Sequence, residues 1–508
     1  MLSILKKEKK IIFKFLLILL YLILSNQNLY KTLLIDIGHN SISKMLFYIL
    51  ASMIFFIFFF YASFNKKIIY RIILCSPFLI SSFFSQLYYQ ITNQVINIDV
   101  IEIALISKGS YTNFINQYSN EIIINLIYFI IGLVAISFES TRIKLFNKNK
   151  VFFISTLYFL FIFSFSILRG GFGLHGLPSQ LTSLIPFTLV NFTQNLKIND
   201  EIKYEKNLIR NKSKILIIDE SIGFNYFNKS LLLENLKTVK NKSFFKDIRK
   251  FHSLHNCSAQ SVWALFNGLT LVNNEYYIRK NLWEIAKTNN YKTLYFSAQE
   301  RKGSYQYMQK PDELMNIDKK FFYGSLNNKL RDINILKDLE KYITSEEDQF
   351  IVILKNGSHF PYSSQFDYEK YTLNENTSIE ELYLYSIKEN TIDFLDELAE
   401  IIKNKNFEIF YLSDHGQNVS DSGLTHCNSD SPIQSEWEIP LLLYNVDNTS
   451  IEKIKNNISL YDAITNSLGE NIIGNKYNSN YHYLFYGSLN KRFGKEIKKI
   501  LIENNYDE

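Results

Sequence analysis

Three places in this 508-residue sequence set carboxylates or imidazoles directly after a short apolar run. "KILII" (Lys214–Ile218) is followed by Asp219, Glu220 and Ser221, and "FIVIL" (Phe350–Leu354) by "KNGSH", which ends in His359. "EIFYL" (Glu408–Leu412) is followed by Ser413, Asp414 and His415, with His426 eleven residues beyond His415. Carboxylates and imidazoles are side chains that ligate divalent cations. One acidic pair after a strand is ordinarily a helix cap or a solvated turn. Three such strand ends, all with metal-ligand side chains, point to a metal-assisted site.

For these residues to meet, the apolar runs must be neighbouring strands. They are β-branched or aromatic and bounded by turn residues, as are "TLYF" (Thr293–Phe296) and "PLLLY" (Pro440–Tyr444). Helical patterns lie between them, most clearly over Ser378–Lys405. This alternation predicts an α/β fold with a largely parallel sheet and helices on both faces. The ligand site of such a sheet lies beyond the carboxyl ends of its strands, which is where the three clusters fall.

The first third of the chain has another composition. Five apolar stretches approach membrane-spanning length, Ile11–Ser25, Met45–Phe64, Ile68–Leu87, Ile122–Phe138 and Val151–Leu168. We therefore expect a transmembrane domain of five helices over 1–168, a bridging segment over 169–210 and a soluble domain over 211–508. The first stretch lacks a small-residue cleavage site and reads as an anchor. Cations crowd before it ("KKEKK", Lys6–Lys10), in the second gap (Lys66, Lys67, Arg71) and in the fourth (Arg142, Lys144, Lys148, Lys150). The alternate gaps hold mainly Lys31, Lys44 and Lys108. The positive-inside rule makes the richer gaps cytoplasmic and sends the soluble domain to the far side. The long gap Tyr88–Glu121 reads either as an interfacial helix or as a connector resting on the membrane.

The net charge of +6 is modest and sits largely beside the apolar segments. No basic face interleaved with aromatics is present, so nucleic acid is not an expected partner. Of three cysteines, Cys75 lies in an apolar stretch. Cys257 and Cys427 are left as the pair an oxidising compartment allows to bridge.

Four motifs, in order, resemble the phosphoethanolamine transferases of the alkaline phosphatase superfamily. "IIDES" resembles the family's strand followed by Gly-Glu-Thr or Gly-Glu-Ser. "HNCSAQSVWALFNG" (His255–Gly268) resembles the segment carrying its nucleophilic Thr. "NGSHFPY" (Asn356–Tyr362) resembles Gly-Ser-His-x-Pro-x-Tyr, and "SDHGQ…GLTH" resembles Ser-Asp-His-Gly-Glu with a following Gly-Leu-x-x-His. The resemblance implies an N-terminal five-helix transmembrane bundle and a C-terminal sulfatase-like α/β/α domain. It implies a bacterial inner-membrane enzyme with its catalytic domain in the periplasm. That enzyme would transfer phosphoethanolamine from phosphatidylethanolamine to lipid A, lipopolysaccharide core or another periplasmic acceptor.

Carried over by position, the metal ligands are Glu220, Asp414, His415 and the oxygen of the nucleophile, Ser258. This mixed set suits Zn2+ with one position open for the reacting group and also accepts Mn2+. A Ser hydroxyl is a poor nucleophile near neutral pH, and coordination to a cation lowers its pKa. Cys257 and Ser261 remain rivals for that role. Sulfatases convert an aligned Cys to formylglycine in a Cys-x-Pro-x-Arg context, and "CSAQS" supplies neither Pro nor Arg. His359 and His426 match histidines that contact the phosphoryl group or leaving oxygen, where protonated imidazole would stabilise charge and donate a proton. Lys302 resembles a phosphate-contacting Lys and reads equally as a solvated surface residue. His252 and His255 match no motif and read as loop residues. The sequence departs from the family at Gln417, where Glu is usual, and at Asp219, where Gly is usual, and it has fewer cysteines. Cys257 and Cys427 each adjoin an expected site residue, which makes a bridge between them conceivable. A membrane-anchored phosphoglycerol transferase, a superfamily hydrolase and a non-catalytic relative are the competing readings.

Overall fold

The computed structural model describes residues 2–38, 42–92, 95–96, 100–101, 104, 115, 118–138, 148–168, 176–189, 197–198, 203–206, 212–233, 240–245, 247–272, 275–299, 315–343, 347–371, 373, 377–419, 424–429, 431–455, 459–473, 482–487 and 499–502. They divide into two compact units, a helical one and an α/β one.

The helical unit comprises α1 (Leu2–Leu24), α2 (Gln27–Gly38), α3 (Ile42–Ser63), α4 (Ile68–Thr92), α5 (Ser119–Ser137), α6 (Lys148–Leu168), α7 (Ser179–Thr182) and α8 (Leu184–Leu189). Each of the five expected stretches is helical. Among the described residues, three helices, α3, α4 and α5, are long and apolar enough to cross a membrane, and α1 with α2 makes a fourth if that pair, bent by 60°, is one span. The apolar part of α6, Phe153–Ile167, is shorter than a span. Leu16, Ile69 and Leu160 are exposed while Lys14 and Arg71 are buried, the reverse of a water-soluble bundle.

Several buried polar groups in this unit meet partners at the ends of its helices. At the break between α1 and α2, Asn26 Oδ1 accepts from the Ser179 amide (2.8 Å) and Gln180 Nε2 donates to Ser25 Oγ (2.8 Å). Residues expected to bridge the two domains therefore dock inside the helical unit. Lys14 Nζ donates to Phe138 O (2.9 Å) and Arg71 Nη2 to Ser137 O (3.2 Å), at the last carbonyls of α5. A helix end leaves those carbonyls without intrahelical donors and attracts cations.

The α/β unit is built on a seven-stranded sheet of β1 (Ser213–Asp219), β2 (Ile248–His252), β3 (Lys292–Ser297), β4 (Lys319–Phe322), β5 (Gln349–Leu354), β6 (Phe407–Ser413) and β7 (Glu438–Tyr444). Its order is β2-β7-β6-β1-β5-β3-β4. The run β6, β1, β5, β3, β4 is parallel, and β7 pairs antiparallel with both β6 and β2. Successive side chains point to opposite faces. Leu216, Ile218, Val352, Phe410 and Leu412 enter one core, and Ile215, Ile217, Ile351, Ile353 and Ile409 the other. Burial on both faces is why these strands read as unbroken apolar runs.

All five expected strands are present. The sequence reading did not anticipate β2 ("IRKFH") and β4 ("KKFF"), the two edge strands. Their cations hide the apolar pattern and also protect the sheet from pairing with another chain. The expected helix after Ser378 runs as Ile379–Ile387, a π-helical turn at Lys388–Asp393, and Phe394–Ile402, opened by a Ser378–Glu381 capping box. Ile217 is fully buried at the centre of the sheet, so Ile217→Ala should cost about 2–5 kcal/mol and lower the thermal melting temperature of the full chain.

Candidate active site

The carboxyl ends of β6, β1 and β5 are adjacent, and the turns leaving them are stitched together. Ser413 pairs in register with Asp219, the Asp414 amide donates to Asp219 O (2.9 Å), and the Ser358 amide donates to Glu220 O (3.1 Å). One oxygen of Asp414, Oδ1, accepts from the amides of Ser221 (2.9 Å) and His415 (2.7 Å). Gly416 lets the chain leave the site, because a Cβ there would lie 2.2 Å from Ser435 O.

Ser258 is the first residue of α9 (Ser258–Phe266). Its Oγ lies 3.1 Å from Glu220 Oε1, to which it donates, and 3.0 Å from His415 Nε2. His415 Nε2 is 3.6 Å from both Glu220 Oε1 and Asp414 Oδ2. The two rivals of Ser258 are occupied elsewhere. Ser261 Oγ donates to the Asp414 carbonyl, and Cys257 is in a disulfide with Cys427. The bridge joins positions 170 residues apart, and the Cys427 amide also donates to Asn256 O (2.8 Å). The segments carrying Ser258 and His426 are thus fastened to one another.

His426 stacks on His415 with ring centroids 4.3 Å apart, and His359 stands 6.4 Å from His426. Burial, followed by the charge of neighbouring His415, holds the His426 imidazole well below its ordinary value. The metal-free site thus favours its neutral form. Burial alone would raise the Glu220 carboxyl, yet the hydrogen bond and charge of His415 hold it far below the usual range. Burial and then the Glu220 charge push Asp414 up. His415 is opposed by burial but held up at about 9 by Asp414 and Glu220.

Glu220, Asp414 and His415 each offer one ligand atom within 4.8 Å of the others, the only such group among the described residues. The second oxygen of Asp414, Oδ2, is buried and accepts no hydrogen bond. A buried carboxylate oxygen without a donor, beside a second carboxylate and an imidazole, is what a divalent cation would satisfy. The donor set fits zinc.

Four of the expected ligand and nucleophile positions thus come together with His359 and His426. Lys302 lies outside the described residues. Sequence reasoning missed His255, which is fully buried and neutral, its imidazole lowered to about 3 by burial. Its Nδ1 accepts from the Cys257 amide (3.1 Å) while Nε2 lies 2.9 Å from Gly487 O. It missed Gln299 too, whose Nε2 reaches Glu220 Oε2 (3.3 Å) and Lys355 O (2.8 Å). The signal available for Gln299 was its place two residues past a strand end. Gln417, the departure from Glu, is buried and donates to Tyr362 OH (2.8 Å).

Residues 215–470 match the family model described as Sulfatase. No curated protein matches the chain. Among solved structures, the chain is similar to the integral membrane protein lipooligosaccharide phosphoethanolamine transferase A from Neisseria meningitidis. That match has 14% identity and a TM-score of 0.58 over 90% of this chain and 92% of the other. It is also similar to the C-terminal periplasmic domain of EcEptC from Escherichia coli in complex with Zn, with 14% identity and a TM-score of 0.45 over 59% and 97%. A third is the lipoteichoic acid synthase LtaP from Listeria monocytogenes, with 13% identity and a TM-score of 0.38 over 57% and 81%. At these identities the likeness is one of fold.

Two measurements follow from the geometry. Asp414 and His415 are both raised and so carry protons near neutrality, and a cation must displace them. Zinc affinity should therefore fall with acidification below about pH 9, by about tenfold per pH unit for each proton displaced. Calorimetric titration in buffers of different ionisation enthalpy would count those protons. Cys427→Ala should lower the unfolding free energy of the chain by about 2–5 kcal/mol, read as a lower thermal melting temperature.

Proposed function

The chain belongs to the sulfatase family, and on that premise we propose that it is a metal-dependent phosphoethanolamine transferase of a bacterial inner membrane. Its α/β unit would act in the periplasm. The observation that carries this reading is the placement of Ser258 Oγ at 3.1 Å from Glu220 and 3.0 Å from His415, inside the one group of candidate metal ligands among the described residues. Zinc held by Glu220, Asp414, His415 and Ser258 would lower the pKa of the Ser258 hydroxyl and offset charge on the phosphoryl oxygens.

In the first half-reaction Ser258 Oγ bonds to the phosphorus of phosphatidylethanolamine as the P–O bond to diacylglycerol breaks. The proton that Ser258 gives up would pass through His359 or His426 to the departing oxygen. In the second, an oxygen of lipid A or of the lipopolysaccharide core attacks the same phosphorus and Ser258 leaves. A neutral imidazole, the form favoured for His426, can take the acceptor's proton in this second step and return it to the departing Ser258 oxygen. Membrane-crossing helices in the same chain favour substrates that are themselves lipids. Lys302 stays a candidate phosphate contact on the strength of its sequence position alone.

Mass spectrometry of lipid A from strains with and without the protein tests the reading. The expected outcome is a phosphoethanolamine adduct that Ser258→Ala abolishes, a loss of at least about 1,000-fold for a removed nucleophile. A glycerol phosphate adduct would shift the assignment to a phosphoglycerol transferase, and modification unchanged by Ser258→Ala would sink both.

A further inference from the structure

Beneath the candidate site lies an ion pair sealed from water. Lys355 and Asp219 are both fully buried, and Lys355 Nζ lies 2.7 Å from Asp219 Oδ2. The same Oδ2 accepts from Thr391 Oγ1 (2.8 Å) and Tyr411 OH (3.0 Å), while Oδ1 accepts from the Glu220 amide (3.0 Å). Lys355 also donates to Asn390 O, stands 3.8 Å from Asp332 Oδ2, and lies 4.5 Å from the centre of the Phe394 ring. Asp332 in turn accepts from the amides of Asn356 (2.8 Å) and Gly357 (3.2 Å). The network therefore runs from the backbone of Glu220, after β1, to the backbone preceding His359, after β5.

Two further features concentrate on this network. The π-helical turn Lys388–Asp393 supplies both Asn390 O and Thr391 Oγ1, and such turns occur frequently at functional sites. Gly357, at φ +55°, passes so close that a Cβ would lie 2.5 Å from Asp219 Oδ1 and 2.7 Å from the Glu220 amide nitrogen. A buried ion pair is a poor source of stability, because apolar residues of equal volume usually serve as well or better. Its geometric effect here is specific: it fixes the turn that presents one carboxylate of the candidate metal group.

We propose that Asp219 and Lys355 form a positioning pair for the metal centre, holding the Glu220 turn against the His359 turn so that the Glu220 carboxylate faces the cation. The inference rests on the metal reading given above. It accounts for the Asp found where Gly is usual: the added carboxylate is met by a lysine from the neighbouring strand end and by two hydroxyls. Neither residue touches the reacting atoms. Their effect passes through the backbone of Glu220 and through Gln299, which bridges Lys355 O and Glu220 Oε2.

Zinc affinity of the full chain in detergent, measured by competition with a chromophoric chelator, tests this beside the melting temperature of the metal-free protein. Lys355→Met should weaken zinc binding by about 10–100-fold, the range found when groups supporting a ligand are removed. The double variant Asp219→Asn/Lys355→Met should bind zinc more tightly than Lys355→Met alone. It leaves neither charge alone and keeps an acceptor for the Glu220 amide. Lys355→Met can unfold the chain, so Thr391→Val, which removes one hydrogen bond without a change of charge, is measured as well. It should weaken zinc binding by about tenfold, the lower end of the same range. Zinc affinity equal to wild type in Thr391→Val and in whichever Lys355 variants fold, with only the melting temperature lowered, would overturn the proposal. A double variant no better than Lys355→Met would overturn it too. A wild-type chain that binds no zinc would instead remove the metal reading itself, and this inference with it.

Discussion

Two carboxylates and an imidazole share a small volume closed to water, and the rest of the α/β unit is organised around holding them there. Glu220 and Asp414 are almost fully buried, with ligand atoms no more than 4.8 Å apart. Like charges at that distance repel by about 3 kcal/mol or more at an effective dielectric of about 20. A protein left to minimise its own energy would not gather such groups. Without a cation the strain resolves through protons, which is why Asp414 and His415 are pushed upward together. With one, the same cluster becomes a ligand set.

Positional accuracy comes from the sheet. Register fixes Ser413 opposite Asp219, so Asp414 and Glu220 leave neighbouring strands at the same level. The remaining side chains are brought in from outside the sheet. Ser258 enters at the start of α9, and His426 on a segment that the Cys257–Cys427 bridge ties to it. The disulfide does for these two segments what hydrogen bonding does for the strands.

Much of this was legible in the sequence because the relevant signals are local. Central strands are apolar on both faces, and the residues just past their ends are the ones that meet, so "KILII" followed by Asp-Glu announces both element and site. Edge strands such as "KKFF" carry the charges that solvent demands and lose that signature. Asp219 could be seen to break the family pattern, but its partner Lys355 lies 136 residues away and is recognised only when two strand ends are side by side. His255 read as loop for a similar reason: its burial depends on Gly487, far along the chain. The end of α1 was visible, since the first apolar stretch stops at Ser25, but the helix beyond it was not, and only the docking of Ser179 and Gln180 shows what the break is for.

A buried oxygen without a donor is informative when its neighbours have theirs. In the helical unit, the carbonyls ending α5 are met by Lys14 and Arg71, and the opening at Ser25–Asn26 by the Ser179 amide and the Gln180 side chain from α7. Around the candidate site, Glu220 Oε1 accepts from Ser258 and Ser221, Glu220 Oε2 from Gln299, and Asp414 Oδ1 from two amides. Asp219, directly beneath, is satisfied at both oxygens. Asp414 Oδ2 is the carboxylate oxygen of this group that accepts nothing, and it faces His415 Nε2 at 3.6 Å. Desolvating a carboxylate oxygen costs free energy that packing alone does not return. Bare and buried beside a second carboxylate and an imidazole, Asp414 Oδ2 is the atom that a positive charge supplied from outside the chain would satisfy.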